Sequence, residues 1–438
     1  MKKIIFIFLS IILVYSYYSN RNTIQEIETI NTKLASNDTR VNNNINMDNF
    51  KNIKSAKLDF KNSMLGLYGE NGSGKTALID VLDLVKTVLS GQSISSDFLN
   101  LIHVDAEYSR IVVQFTMNEN GRHSEIEYSF KLNKHSIFEE ILSYAYMDGG
   151  TRVVKSKLID TSNTMTFSPL SKYKSLIGSS KENELNVMVI KRRVCKEFRS
   201  FIFSRELLDL VRSRKNECRD EEFLRHLYIL ESLVYFANYE LFVVKSKCCL
   251  YDSMVLSKED LDVYKRKIES MNRVLPYLVP NLTMGVKVLG KELMRDNSVG
   301  YRIELFSNKI PFKYESDGVK RIVAILQPLI EVFNNGSVVV AIDDLDCGIH
   351  EYLFGEIVKM MCEQAKGQLI FTAHNLRPLE IINKKFLVFT TTDPDNRYVR
   401  YKNIAAHNNL RSVYIRDIAL SDSIKSAEVS YGLRKAKG

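Results

Sequence analysis

Eight consecutive residues, Gly69, Glu70, Asn71, Gly72, Ser73, Gly74, Lys75 and Thr76, follow the spacing G-x-x-x-x-G-K-[ST]. Glycines at the first, fourth and sixth places let successive backbone N–H groups curl around a phosphate, and a helix opening at Lys75 would aim its positive end at the same anion. On this spacing Lys75 reaches the β- and γ-phosphates of ATP, and Thr76 places its hydroxyl on Mg²⁺.

A second group lies far downstream, where the run Val338-Val339-Val340-Ala341-Ile342 ends in Asp343-Asp344. An acid at the carboxyl end of a buried strand faces the crevice where open α/β sheets bind ligands. Asp343 is the expected Mg²⁺ ligand and Asp344 the expected base that orients the attacking water. Just before this strand, Ser316 and Gly318 open an apolar helical pattern, placing free N–H groups where a γ-phosphate could be held. A histidine, His374, ends the strand-like run Leu369-Ile370-Phe371-Thr372-Ala373 and is expected near the same phosphate.

These residues need a strand, a loop and a helix in that order around Lys75, and parallel strands beneath the acids. The sequence supplies both. Met64 to Tyr68 is a short apolar run, while Ala77, Leu78, Val81, Leu82, Val85, Val88 and Leu89 recur at three- and four-residue steps, which predicts one helix with an apolar stripe. Ile111 to Met117 and His123 to Leu132 alternate around Asn118-Glu119-Asn120-Gly121, the pattern of a β-hairpin. Ser337 to Ile342 is β-branched and continuous, as in a strand buried on both faces, with Gln368 to Thr372 and Phe386 to Thr390 as expected neighbours.

The order of loop, Ser-x-Gly, Asp-Asp and His resembles the RecF, SMC and OLD branch of ABC-type ATPases, and in particular the bacterial AAA-labelled ATPases tied to phage defence and abortive infection. Asp346-Cys347-Gly348-Ile349-His350 and Asn375-Leu376-Arg377-Pro378-Leu379-Glu380 look like that branch too. The resemblance implies an α/β P-loop NTPase head of ABC type, with a mixed or parallel sheet flanked by helices and an inserted helical subdomain. It also implies a homodimer with ATP sandwiched between two heads, Ser316 and Gly318 of one copy facing the nucleotide of the other. One residue departs from the pattern: the family usually carries Glu where this chain has Asp344. OLD proteins carry a nuclease domain after the ATPase, and the stretch beyond His374 is too short to predict one.

On this reading, residues 1–44 form an apolar N-terminal segment and polar linker, and 45–186 the first lobe of the head with the phosphate-binding loop. Residues 187–300 are a helical insertion and connecting segment, and 301–438 the second lobe. In the insertion Arg192, Lys196 and Arg199 share a helical face, followed by Arg212, Arg214 and Lys215, a candidate DNA-contacting surface or a solvated face. The formal net charge of +9 favours a polyanionic partner only weakly in a chain of this size.

The six cysteines show neither C-x-x-C spacing nor nearby His pairs, so they read as reduced and mostly buried rather than as a zinc site or a disulfide framework. There is no G-x-S-x-G, and His350-Glu351 lacks the second His of a zinc protease. Asp393-Pro394-Asp395 reads as a turn rather than a metal site. Lys2 and Lys3 precede an apolar run over residues 4–18, which has the shape of a signal peptide but is short for a spanning helix. It is open to three readings: a membrane anchor or remnant, a wrongly chosen start, or true export, the last in conflict with an ATP-dependent cytoplasmic protein.

The function expected is binding and hydrolysis of ATP with Mg²⁺ by a head dimer acting on DNA or an effector protein, in phage defence or DNA maintenance. Two alternatives stay open. One is the nucleotide-binding subunit of an ABC transporter, which should show a full Leu-Ser-Gly-Gly-Gln signature and no helical insertion of this size. The other is a non-hydrolysing scaffold gated by nucleotide, suggested by Asp344.

Overall fold

The computed structural model describes residues 38–60, 62–119, 122–148, 151–152, 156–161, 198–213, 221–246, 254–293, 299–393, 397–401 and 409–416. The chain opens with β1 (Asp38–Phe50), β2 (Ile53–Asp59), β3 (Met64–Gly69), α1 (Lys75–Leu89), β4 (Ser109–Glu119), β5 (Arg122–Leu132) and β6 (Ile137–Asp148). It continues with β7 (Thr151–Arg152), β8 (Ser156–Asp160), α2 (Arg205–Ser213), α3 (Glu221–Tyr235), β9 (Leu241–Val244), β10 (Met254–Leu256) and α4 (Lys258–Asn272). The second half holds β11 (Met284–Leu293), β12 (Val299–Ser307), β13 (Ile310–Pro311), α5 (Asp317–Asn334) and β14 (Val339–Ile342). It ends in α6 (Glu351–Gln364), β15 (Gln368–Thr372), β16 (Leu387–Thr390) and β17 (Tyr398–Val399).

The central sheet has the order β17-β16-β3-β15-β14-β9. The four pairings from β16 to β9 are parallel, and β17 runs antiparallel to its neighbour β16. The strand bearing the phosphate-binding loop therefore lies beside the strand that ends in Thr372, and that strand lies beside the one that ends at Asp343. Side chains alternate between two cores. Val339, Ala341, Ile370 and Val388 pack toward α1 and the first lobe, while Val340, Ile342, Leu369, Phe371 and Phe389 pack toward α4, α5 and α6. Burial on both faces is why these strands read as unbroken apolar runs.

A second, antiparallel sheet orders as β2-β1-β4-β5-β6-β7, with β8 on β6. It contains the hairpin β4–β5 expected from the alternation. A small third sheet, β10-β12-β11 with β13 on β12, packs against α4. The stripe residues of α1 are all buried, so the helix that starts at Lys75 is fixed along its length and delivers that lysine to one place.

Two expectations need correction. The polar linker expected through residue 44 ends earlier, because β1 already begins at Asp38 and pairs with β2 and β4. The stretch 187–300, expected as a helical insertion and connecting segment, also carries strands: β9 lies within it and pairs in parallel with β14 in the central sheet, and β10 to β12 form the third sheet. A four-residue, fully buried strand such as Leu241–Val244 has no periodicity to distinguish it from a buried helical turn. Of the six cysteines, Cys347 is exposed and Cys362 half-buried, both free; the other four lie outside the described residues.

The apolar run at 4–18 also lies outside the described residues, as do Arg192, Lys196, Arg214 and Lys215. Among the described residues no helix is long and apolar enough to cross a membrane. Arg199 pairs with Glu206 at 3.1 Å, and Arg212 with Glu231 at 3.0 Å, so the two described members of the proposed basic face already hold carboxylates.

Candidate functional site

Strand β3 ends at Gly69, and the chain turns through residues 70–74 into α1, with Gly74 at φ 102 as the N-cap. Only glycine adopts that conformation without strain. Lys75 folds back over the loop, its Nζ donating to the carbonyls of Gly69 at 2.7 Å and Glu70 at 3.0 Å. Burial lowers its ammonium from the ordinary lysine value, against the opposing pull of the carboxylates of Asp344, Asp343, Asp346 and Glu70. Ser73 is buried, and its hydroxyl donates to the Glu70 carbonyl at 2.7 Å and also touches the Thr390 hydroxyl of β16. Gly69, Glu70 and Ser73 thus shape the loop from behind, tying it to the neighbouring strand.

Asp343 follows β14 and is almost fully buried. Its Oδ1 accepts from the Thr76 hydroxyl at 3.2 Å and from the Thr372 hydroxyl at 2.7 Å. The Thr372 oxygen in turn accepts from the Asp344 backbone N–H at 2.8 Å. Thr76 and Asp343 present hard oxygen donors side by side, the chemistry that suits Mg²⁺ completed by phosphate and water oxygens.

Asp344 has φ 49, in the left-handed region that Asp and Asn tolerate better than longer side chains. Its backbone is held there from two sides: Thr372 binds its N–H, and Arg321 of α5 donates to the carbonyls of Asp343, Asp344 (3.1 Å) and Lys245 (3.0 Å). Burial and the adjacent Asp343 raise the Asp344 carboxyl above its ordinary value, and His374 opposes the shift. His374 Nε2 stands 3.7 Å from Asp344 Oδ1, beyond direct hydrogen bonding. The histidine's backbone is fixed, since Asp346 Oδ2 accepts from the N–H groups of His374 at 3.0 Å and Asn375 at 2.7 Å.

These groups meet at one cavity of about 390 Å³, whose lining includes Asn71, Gly72, Gly74, Lys75, Thr76, Asp344 and His374. Lys51 and Asn52, from the turn between β1 and β2, line the same cavity. Lys51 pairs with Asp80 of α1, and Asn52 donates its amide to the Gly72 carbonyl. Asp80 also takes Lys245 at 3.1 Å, which links the cavity wall to the residue after β9.

Ser316 and Gly318 stand apart from this cavity. Ser316 caps α5, its hydroxyl accepting from the Val319 N–H at 3.2 Å. Gly318 packs so closely on Gly348 that a Cβ on Gly348, at φ 77, would lie 2.6 Å from the Gly318 Cα. This contact docks the first turn of α5 onto the loop that follows Asp343-Asp344. The side chain of Asp317 is exposed, as are the rings of Tyr314 and Tyr352.

The sequence reading missed Lys51, Asn52, Thr372, Arg321 and Asp346 as members of the site. Thr372 and Asp346 carried a signal, each lying two residues from a residue already singled out. Lys51, Asn52 and Arg321 carried none, because pairing of β1 with β2 and docking of α5 bring them in.

Comparison with known proteins gives a match over residues 64–380 to the family described as "AAA domain, putative AbiEii toxin, Type IV TA system". No curated protein matches the sequence closely enough to count as a relative. Among solved structures, similar ones include the recombination mediator RecF with ATP, at 15% identity and TM-score 0.43, covering 83% of this chain and 98% of that one. The SMC head domain from Thermotoga maritima matches at 14% identity and TM-score 0.35, covering 82% and 99%. The Smc head bound to the C-winged helix domain of ScpA matches at 14% identity and TM-score 0.40, covering 82% and 97%.

Proposed function

The chain belongs to the family described as "AAA domain, putative AbiEii toxin, Type IV TA system", and on that premise we propose that it is an ABC-type head that binds ATP with Mg²⁺ and hydrolyses it between two copies of itself. The observation that carries this reading is the convergence of Lys75, Thr76, Asp344 and His374 on one cavity, with Asp343 hydrogen-bonded to Thr76. The loop N–H groups and Lys75 hold the β- and γ-phosphates. Mg²⁺, held by Thr76 and Asp343, supplies charge neutralisation on the phosphate oxygens when bound. Asp344 accepts a hydrogen bond from the attacking water and orients it, and His374 fixes the water and the γ-phosphate from the other side.

The second copy enters through Ser316 and Gly318. They open a helix outside the cavity, on an exposed surface, which supports a role for this helix end toward a nucleotide held by another head. Mixing two inactive variants tests this. Lys75→Ala disables one copy's phosphate loop and Ser316→Arg the other copy's helix end. In a head-to-tail dimer the mixture regains part of the ATPase rate, because one composite site keeps both wild-type halves; a mixture as inactive as its components would argue against sharing.

For the biological setting, support comes from the wording of the family description, "putative AbiEii toxin, Type IV TA system". We read the ATP-driven head closure as the switch that releases or engages an effector protein, in defence against phage. DNA is the less favoured partner, because Arg199 and Arg212 are already paired with carboxylates. Binding of the purified chain to duplex DNA at two salt concentrations checks this, since phosphate contacts weaken steeply with salt.

A further inference from the structure

Arg397 is a buried cation that forms no ion pair with a carboxylate among the described residues. It is 6% exposed, just before β17. Its Nη1 donates to the Thr391 carbonyl at 2.9 Å and its Nη2 to the Asn52 carbonyl at 2.6 Å. Its Nε–H is buried without a hydrogen-bond partner, and among the described residues no Asp or Glu pairs with it. Arginine is seldom buried in this way, because an ion taken out of water is costly unless an opposite charge accompanies it.

The location of this charge suggests what accompanies it. Asn52, whose carbonyl it holds, lines the nucleotide cavity and donates its own amide to Gly72 of the phosphate loop. The Arg397 side chain also passes behind that loop, with Cδ 3.9 Å from where a Cβ on Gly74 would lie. The next residue adds a second grip, the Tyr398 hydroxyl donating to the Gly74 carbonyl at 3.1 Å. Residues 397 and 398 therefore hold both the β1–β2 turn and the phosphate loop from the side away from the ligand.

We infer that Arg397 is a positioning residue for the nucleotide site and also its fixed positive charge, the missing counter-ion being the polyphosphate of the bound nucleotide. This rests on the proposed ATP site. The fork of the guanidinium sets Asn52 against the loop, which is geometry. Its charge acts through the loop wall, where protein rather than water intervenes, so attraction grows with the number of phosphate charges. A purely structural clip would lower affinity for every nucleotide alike.

The test measures ATP and ADP affinities of the full chain by calorimetry, for wild type, Arg397→Gln, Arg397→Lys and Tyr398→Phe. Arg397→Gln is expected to weaken ATP by about tenfold and ADP by less. Arg397→Lys, which keeps the charge and loses the fork, should weaken both nucleotides equally and modestly, and Tyr398→Phe should do the same. Equal losses for ATP and ADP in Arg397→Gln would leave Arg397 as a clip only, and unchanged affinities would remove it from the site. Should Arg397→Gln fail to fold, the ATP-to-ADP affinity ratio of Arg397→Lys decides: the wild-type ratio supports the charge, and a lowered ratio overturns it. If wild type itself binds neither nucleotide, the site reading fails rather than the role of Arg397.

Discussion

The Thr372 hydroxyl donates to Asp343 Oδ1 at 2.7 Å and its oxygen accepts from the Asp344 N–H at 2.8 Å, so one side chain fixes both acids of the site. Thr372 is fully buried, leaving its hydroxyl no alternative partner in water. Thr372→Val keeps the shape and deletes both bonds, and bonds to charged groups contribute about 1.5–3 kcal/mol. Turnover is expected to fall about tenfold or more, with a higher Mg²⁺ requirement, and Thr372→Ser to restore most of it. A magnesium titration of steady-state ATPase for the three proteins checks this; a valine variant with the parent's rate and Mg²⁺ dependence would free Asp343 from this control.

Lys75→Ala should abolish nucleotide binding or turnover. The lysine is the cation at the phosphate loop, and its removal leaves only N–H groups to face the phosphates. Purified variant protein with an unchanged ATPase rate would sink the site assignment.

Asp344 yields two opposed expectations. Its carboxylate is one methylene nearer the backbone than that of the Glu usual in this branch, so a poorly held attacking water and slow turnover are expected. Asp344→Glu should raise the rate. The left-handed backbone at φ 49 penalises the longer residue by about 1 kcal/mol, so the same variant should melt at a lower temperature. Asp344→Asn should bind ATP and trap a dimer visible by size-exclusion chromatography. If the Asn variant turns over ATP like the parent, Asp344 is not the base and the scaffold alternative is the better description.

The pH profile should carry the same residue's mark. Burial first, then the charge of Asp343, raises the Asp344 carboxyl above the ordinary aspartate value. The base acts as the carboxylate, so kcat/KM should fall as pH drops through this raised value, placing the acid limb above the range of an unperturbed Asp. A limb at or below that range would assign the water to another group.

Gly348→Ala tests how α5 is docked. The new Cβ would press on the Gly318 backbone at 2.6 Å, from a residue already at φ 77, and backbone cannot yield as a side chain can. We expect a lower melting temperature and, on the proposed head-to-tail dimer, a larger loss of ATPase rate than of ATP affinity. Equal affinity and equal rate would show that the loop absorbs the methyl group.

What the sequence determined was local. The loop spacing, the α1 stripe, the parallel-strand runs and the acids at the end of β14 each depend on residues adjacent in the chain, and backbone sterics and periodicity suffice to read them. The Asp after β14, the Thr after the loop lysine and the His after β15 then fall together because parallel strands end on one side of a sheet. Tertiary structure decided what the sequence could not. Thr372 is the hub of both acids because β15 lies beside β14 in register, and Lys51 and Asn52 reach the cavity because β1 pairs with β2. Arg321 reaches the carbonyls of Asp343 and Asp344 through α5, and Arg397, just before β17, holds the Asn52 carbonyl 345 positions away in the chain. Such contacts depend on packing between distant segments, and nothing in the residues around Arg397 indicates that its guanidinium will be buried behind a phosphate loop.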